Sequence, residues 1–209
     1  MKNQRSQSAK DSRRKEYAAA TKLAILQAAR NLFSQKGYFS ARVDDIAALA
    51  RVSPATIYAV SGGKQGLLRT LMDQWTTAPV VEKTVRAIDE LTSSEAILRL
   101  CAASCVSMRK EYGDTMRVIL NTAPHDREVA STLDIATERY RKAILRIARR
   151  VVALGDLRKS VDLNEAADVL WFYFGYASLF TLIDENHWSW DRAEEWLYTQ
   201  ACRALLRKH

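Results

Sequence analysis

The sequence is short of the residues that most folds other than helical ones require. Its 209 residues include three prolines and seven glycines, too few for the many turns of an all-β chain, so helix is favoured. Three cysteines give no disulfide framework and point to reduced thiols. The most apolar run, residues 169–183, is 15 residues long, whereas a membrane span needs about 20; a fully buried helix is the better reading. Residues 1–15 contain no apolar segment of the kind an export signal carries, and a cytoplasmic protein is expected. Metal-ligand spacing and a Gly-x-Ser-x-Gly elbow are missing. Gly62-Gly63-Lys64 has no strand before it and lacks the rest of a phosphate-binding loop. The expectation is therefore no enzyme, no metal and no cofactor.

What is present is basic charge, concentrated at one end. The chain carries 32 Lys and Arg against 24 Asp and Glu, a net charge of +8. Residues 1–75 hold 13 basic and 5 acidic side chains, while residues 76–209 hold 19 of each. The whole excess sits in the first third, which suggests a head that meets a polyanion and a neutral body. About half of it belongs to residues 1–16, where Lys2, Arg5, Lys10, Arg13, Arg14 and Lys15 stand against Asp11 and Glu16. That composition predicts a mobile basic arm.

Hydrophobic residues make up 48% of the chain, enough for a substantial core, and they recur at helical spacing. From Glu16, Leu23, Leu26 and Phe33 form a stripe widened by Ile25, Ala29 and Leu32, with Gly37 closing the helix. A short helix carries Val43, Ile46, Ala47 and Ala50, with Asp44 and Asp45 at its positive end and Ser40 as the candidate N-cap. Ser53-Pro54 is an N-cap and first-turn pair opening another short helix to Val60. After Ser61-Gly62-Gly63 a further helix presents Leu67, Leu68, Leu71 and Met72. Two short helices joined by a few residues form a helix-turn-helix.

Gly37-Tyr38, Val43-Asp44-Asp45-Ile46-Ala47, Val52-Ser53-Pro54-Ala55-Thr56-Ile57-Tyr58 and Lys64 with Leu67-Leu68 resemble the DNA-binding domain of TetR-type transcriptional regulators, over about residues 20–75. The resemblance implies an all-α fold. An N-terminal three-helix helix-turn-helix domain would be followed by an all-helical ligand-binding and dimerisation domain. It places Thr56, Tyr58 and Lys64 on DNA. The chemistry is suitable on its own terms: Ser53 and Thr56 offer small hydroxyls, Tyr58 a phenol, and Lys64 a cation at a helix start. Arg42 stands where the family often has Thr or Ser, and its contact with DNA is inferred from its place beside the backbone. Ser61 replaces the family's usual aromatic, and Gly62 and Gly63 soften the same turn. The expected organisation is an arm over 1–15, a head over 16–75 and an effector-binding and dimerisation body over 76–209.

In the body, helices are expected from Ser94, around Met116 to Leu120 ending at Pro124, over a long seam from Leu133 to Leu154 stopped by Gly155, over 162–183 behind an Asp162 cap, and over 190–207. The resemblance assigns homodimerisation to the last two. Cys105, Met108, Tyr112, Met116, Tyr140, Trp171 and Phe174 are the candidate wall of an effector pocket, suited to a small apolar or aromatic ligand whose binding releases a repressor from its operator. Cys101 and Cys105 read as buried inert thiols. Arg139, Lys142, Arg146, Arg149 and Arg150 read as a solvated helix face. The alternative function is an architectural DNA-binding protein without effector control; an all-helical enzyme or lipid carrier lacks any catalytic set.

Overall fold

The computed structural model describes the backbone of residues 2–207 and the side chains of residues 12–207. It is a chain of helices: α1 (Lys2–Lys36), α2 (Val43–Ala50), α3 (Pro54–Ser61), α4 (Lys64–Thr76), α5 (Pro79–Glu90), α6 (Ser94–Thr122), α7 (Arg127–Leu154), α8 (Leu163–Phe174), α9 (Ala177–Phe180) and α10 (Trp190–Leu205). A 3₁₀ turn, Ala123–His125, follows α6, and a π turn, Thr181–Glu185, follows α9. Extended pairing among the described residues is confined to an isolated antiparallel bridge between Leu157 and Leu206.

Several expected boundaries move, each for a local reason. The backbone of the basic arm is helical and continuous with α1; Ala, Lys, Arg and Gln are good helix formers, and no Gly or Pro intervenes. The side chains of Lys2, Arg5 and Lys10 lie outside the described residues. The N-cap of α2 is Arg42, in extended backbone and without a side-chain cap bond, instead of Ser40. Ser53 does cap α3, its Oγ accepting the Thr56 N–H, and Asp162 caps α8 by accepting from Glu165 N–H. The body helix carrying Cys101 and the short helix around Met116 are one element, α6, which runs through Gly113; no proline intervenes, and a lone glycine costs a helix only about 1 kcal/mol. The reverse holds at 162–183: Gly175 divides that stretch into α8 and α9.

The chain packs as two units. One comprises the chain up to Thr77 together with Asp114–Ala130, and the other comprises Ala78–Gly113 and the chain from Ser131 on. The second piece of the first unit was not legible as part of the head.

In the first unit α1 packs against α2 and α4. Its core includes Ile25, Ala29, Phe33, Ile46, Ile57, Leu67, Leu68 and Met72, all at most 2% exposed. Leu23, expected inward, is instead exposed. Two ion pairs hold the later segment within this unit. The Arg30 guanidinium donates Nε to Asp114 Oδ2 and Nη2 to Asp114 Oδ1, both at 2.7 Å. Glu128 accepts from Gln65 and Arg69 of α4.

The second unit is built around α8 and α10. Ala166, Leu170, Phe174 and Leu179 meet Ala193, Leu197, Ala201 and Leu205, with Ile97, Leu98, Ile144, Ile147 and Val151 completing the core. The 23-residue stretch Leu163–Glu185 is, by length and composition alone, apolar enough to cross a membrane, with mean hydropathy 1.4 over an 18-residue window. Its interruption at Gly175 and the burial of Ala166, Leu170, Phe174, Leu179 and Leu182 in this core account for that composition. The seam of α7 is buried at Ile144, Ile147 and Val151. Its basic face is solvated as expected, with Lys142 paired to Glu138 and Arg146 to Asp89. Arg150, half-buried, donates to the Leu91 carbonyl.

Candidate functional site

The helix-turn-helix is α2 and α3 with the turn between them. Arg51, in the left-handed region (φ 55°), ends α2 by returning its N–H to Ala47 and Ala48 carbonyls. Two residues later the Ser53 cap and Pro54 start α3. On α3 only Ile57 is fully buried, anchoring the helix, while Ser53, Pro54, Ala55, Tyr58, Ala59 and Val60 face outward. Ser53 Oγ also lies 2.9 Å from Thr56 Oγ1. The two hydroxyls therefore form one polar corner at the start of the helix, where N–H groups and the dipole favour an anion.

Tyr58 is 59% exposed, and its hydroxyl has no hydrogen-bond partner among the described residues. Its ring lies over the backbone of Gly63, where an added Cβ would come within 2.9 Å of the ring edge. Gly63, at φ 90°, thus serves both the backbone turn and the seat of the tyrosine. The turn is tight despite the missing aromatic at 61. Ser61 Oγ lies 2.8 Å from Ile57 O and 3.3 Å from Gly63 O, each of which can accept its proton.

Lys64 is placed differently from the expectation. Its ammonium does not project freely from the start of α4. It donates to the carbonyl oxygens of Tyr38, Phe39 and Ala41 at 2.9, 3.2 and 3.2 Å, and lies 4.6 Å from the centre of the Tyr38 ring. Desolvation by burial lowers its pKa. Arg42, next to Ala41, is exposed. The start of α2 is further tied to the end of α1 by Lys36 on Asp45, 3.1 Å. Arg42, Ser53, Thr56 and Tyr58 are therefore exposed or half-exposed around α2 and α3, with the Lys64 ammonium turned inward behind them.

The seven candidate effector residues are divided between the two units. Met116 is buried in the first unit, whereas Cys105, Met108, Tyr112, Tyr140, Trp171 and Phe174 belong to the second. Of these six, Cys105, Tyr140, Trp171 and Phe174 converge on the break at Gly175. The Phe174 carbonyl, freed by the end of α8, accepts from Tyr140 OH and from Cys105 Sγ at 3.6 Å. Trp171 and Tyr140 rings meet edge to face, 5.5 Å between centres. Burial raises the Cys105 thiol's pKa against the opposing charge of Arg109, and raises that of Tyr140 well above the ordinary phenol value. Cys101 is pushed up to about 12 by burial and the neighbouring Cys105, in keeping with an inert thiol.

The residue that sequence reasoning missed here is Arg109. It is 4% exposed, and its Nη2 donates to the carbonyls of Gly175 and Tyr176 at 2.7 and 3.1 Å. Its charge meets the negative end of α8. Tyr176 adds its ring beside Trp171 and Tyr140 and receives a bond from Thr137 Oγ1 at 3.3 Å. The signal was available: Arg109 lies four residues after Cys105 and eight after Cys101, on the same helical face. An arginine on an apolar stripe calls for buried acceptors.

Residues 25–71 match the family described as bacterial regulatory proteins, tetR family. No curated protein matches the chain. Solved structures do. SmeT in complex with triclosan superposes with a TM-score of 0.73 at 18% identity, over 90% of this chain and 93% of that one. The TetR family transcriptional regulator PfmR from Thermus thermophilus gives 0.68 at 21% identity, over 88% and 96%. FadR from Bacillus subtilis, in complex with stearoyl-CoA, gives 0.69 at 17% identity, over 86% and 96%. At these identities the likeness establishes the all-helical fold over the 86–90% of the chain that is covered. The match over 25–71 falls on the helix-turn-helix just described: this segment is a DNA-binding domain of the kind found in the tetR family of bacterial regulatory proteins.

Proposed function

We propose that the protein is a repressor that reads an operator through α2 and α3 and leaves it when a small apolar or aromatic ligand binds the body. The observation that carries the reading is the exposed face of α3, on which Tyr58 holds an unpartnered hydroxyl beside the Ser53–Thr56 corner. In that reading Arg42, Ser53, Thr56 and Tyr58 meet phosphates and base edges, and residues 1–15 act as a non-specific tether. In this reading the head ends near residue 75, inside a compact unit that runs to Thr77 and takes in Asp114–Ala130. The protein works in the cytoplasm as a homodimer through α8 and α10, since paired heads read two half-sites. Phe172 on α8, 72% exposed, and Trp196 on α10 support that face. The effector is sensed in the body near the Gly175 break. SmeT and FadR, bound to triclosan and stearoyl-CoA in their structures, support a ligand with a large apolar part.

The test is a binding comparison between the duplex upstream of the protein's own gene and random duplexes. At least a hundredfold preference for the former is expected, in line with the roughly 10³–10⁷-fold ratios of specific binders. Equal affinity would leave an architectural DNA-binding protein, and no binding would sink the DNA-reading head altogether.

A further inference from the structure

We propose that Lys64 is a positioning residue of the DNA-reading head: its ammonium fixes the peptide that carries Arg42 and does not itself hold a phosphate. The inference rests on the reading of Arg42 as a DNA contact. An ammonium has three hydrogens to donate, and three carbonyl oxygens, those of Tyr38, Phe39 and Ala41, stand within 3.2 Å of Nζ. Tyr38 and Ala41 are buried residues, so swinging Lys64 out to a phosphate would strand their acceptors. It would also forfeit the cation–π contact with the Tyr38 ring, 4.6 Å away.

The third acceptor gives the clamp its consequence. The Ala41 carbonyl belongs to the same planar peptide as the Arg42 N–H, so the lysine sets the plane from which Arg42 departs. Little else does so locally. Arg42 is the N-cap of α2 without a side-chain cap bond, and the loop before it is held by Ala41 N–H on the Gly37 carbonyl at 3.3 Å. Gly37 itself is in the left-handed region at φ 78°. Lys64 thus ties the start of α4 to the turn between α1 and α2, and through that turn to the start of the helix-turn-helix.

The test is a double-mutant cycle on the full chain, with Lys64→Met in the wild-type and Arg42→Ala backgrounds. The probe is a duplex selected by the wild type from a random pool. With Arg42 present, Lys64→Met is expected to weaken binding about tenfold, within the range for misplacing one good base contact. In the Arg42→Ala background it should cost little and leave the salt slope unchanged. An equal cost in both backgrounds overturns the proposal. A salt slope shallower by about 0.9 in both, the signature of one lost phosphate contact, overturns it in favour of direct contact.

Should Lys64→Met fail to fold, nitrogen-15 NMR of lysine side chains in the wild type decides. The Lys64 ammonium protons should be protected from exchange in the free protein and keep their shift when the selected duplex is added. Protection that arises only with DNA overturns the clamp. A wild type that selects no duplex overturns the DNA-reading head and with it this role for Lys64, while the free-protein spectrum still reports whether the clamp exists.

Discussion

Gly66 stands so close to the carbonyl oxygen of Ser61 that a Cβ on it would lie 1.6 Å from that atom. The start of α4 therefore touches the end of α3 backbone to backbone, and only glycine permits it. Gly66→Ala is expected to cost about 3 kcal/mol or more, beyond ordinary overpacking, because the obstacle is main chain. Gly62 has the left-handed φ of 73° but open space around its Cβ position. Gly62→Ala should cost only about 1–2 kcal/mol. Thermal melts of the two variants check both; equal losses would contradict the close approach.

The Arg30–Asp114 pair gives a pH prediction. Burial pulls the Asp114 pKa up, but the Arg30 hydrogen bond, the Thr115 N–H and the Arg30 charge together hold it below its ordinary 3.8. A carboxylate with a depressed folded pKa adds stability that is complete above the unfolded value and is lost as pH falls through the folded one. Asp114→Asn should destabilise by about 1.5 kcal/mol at neutral pH, the lower end for a charge-assisted bond. The difference from wild type should shrink below pH 4. Urea unfolding at pH 7 and pH 3 checks it, and a gap that is constant with pH would refute the pair's contribution.

Arg109 should matter more than its ordinary place in the sequence suggests. Arg109→Met would remove a charged donor from the Gly175 and Tyr176 carbonyls and should cost about 2 kcal/mol or more. Tyr140→Phe removes one of the two donors to the Phe174 carbonyl, and Cys105 remains, so its cost should stay near about 1 kcal/mol. Denaturant midpoints for the two variants would show the order; the reverse order would contradict the assignment of the carbonyls.

Phe172 tests the association. It is 72% exposed on α8, and with Val169, Tyr173 and Ala204 it borders an open groove rimmed by Asp162, Glu165 and Asp168. Phe172→Glu should weaken a dimer at this face by about 2 kcal/mol, a hot-spot loss of roughly thirtyfold, with the monomer fold retained. Sedimentation of wild type and variant over a concentration series measures it, and an unchanged dimer would move the interface elsewhere.

Much of the head was legible because its signals are local. Ser53-Pro54 announces the start of α3 by itself, Gly155 ends α7, and Asp162 caps α8. The exposed Tyr58 followed from the resemblance. What the sequence hid depends on long-range partners. The carbonyls around Lys64 lie 23 to 26 residues away, and a cation at a helix start reads the same whether it faces a phosphate or its own backbone. Arg109 serves carbonyls 66 and 67 residues away, at the point where Gly175 ends α8. Leu23 sits on the apolar stripe by spacing yet is exposed, since helical periodicity identifies a face but not how far along the helix that face is covered.

The head unit is discontinuous in sequence, because Asp114–Ala130 packs with the chain up to Thr77 while Ala78–Gly113 does not. The polypeptide passes from one unit to the other three times, at 77–78, 113–114 and 130–131. A protease nick at the first passage cuts residues 1–77 from the rest of the chain but leaves Asp114–Ala130, which packs with them, on the other fragment. A chimera spliced near residue 77 would carry a head stripped of Asp114 and Glu128, the partners of Arg30, Gln65 and Arg69. Transplanting this reading head onto another body therefore calls for grafting two segments and treating Ala78–Gly113 as an insertion between them.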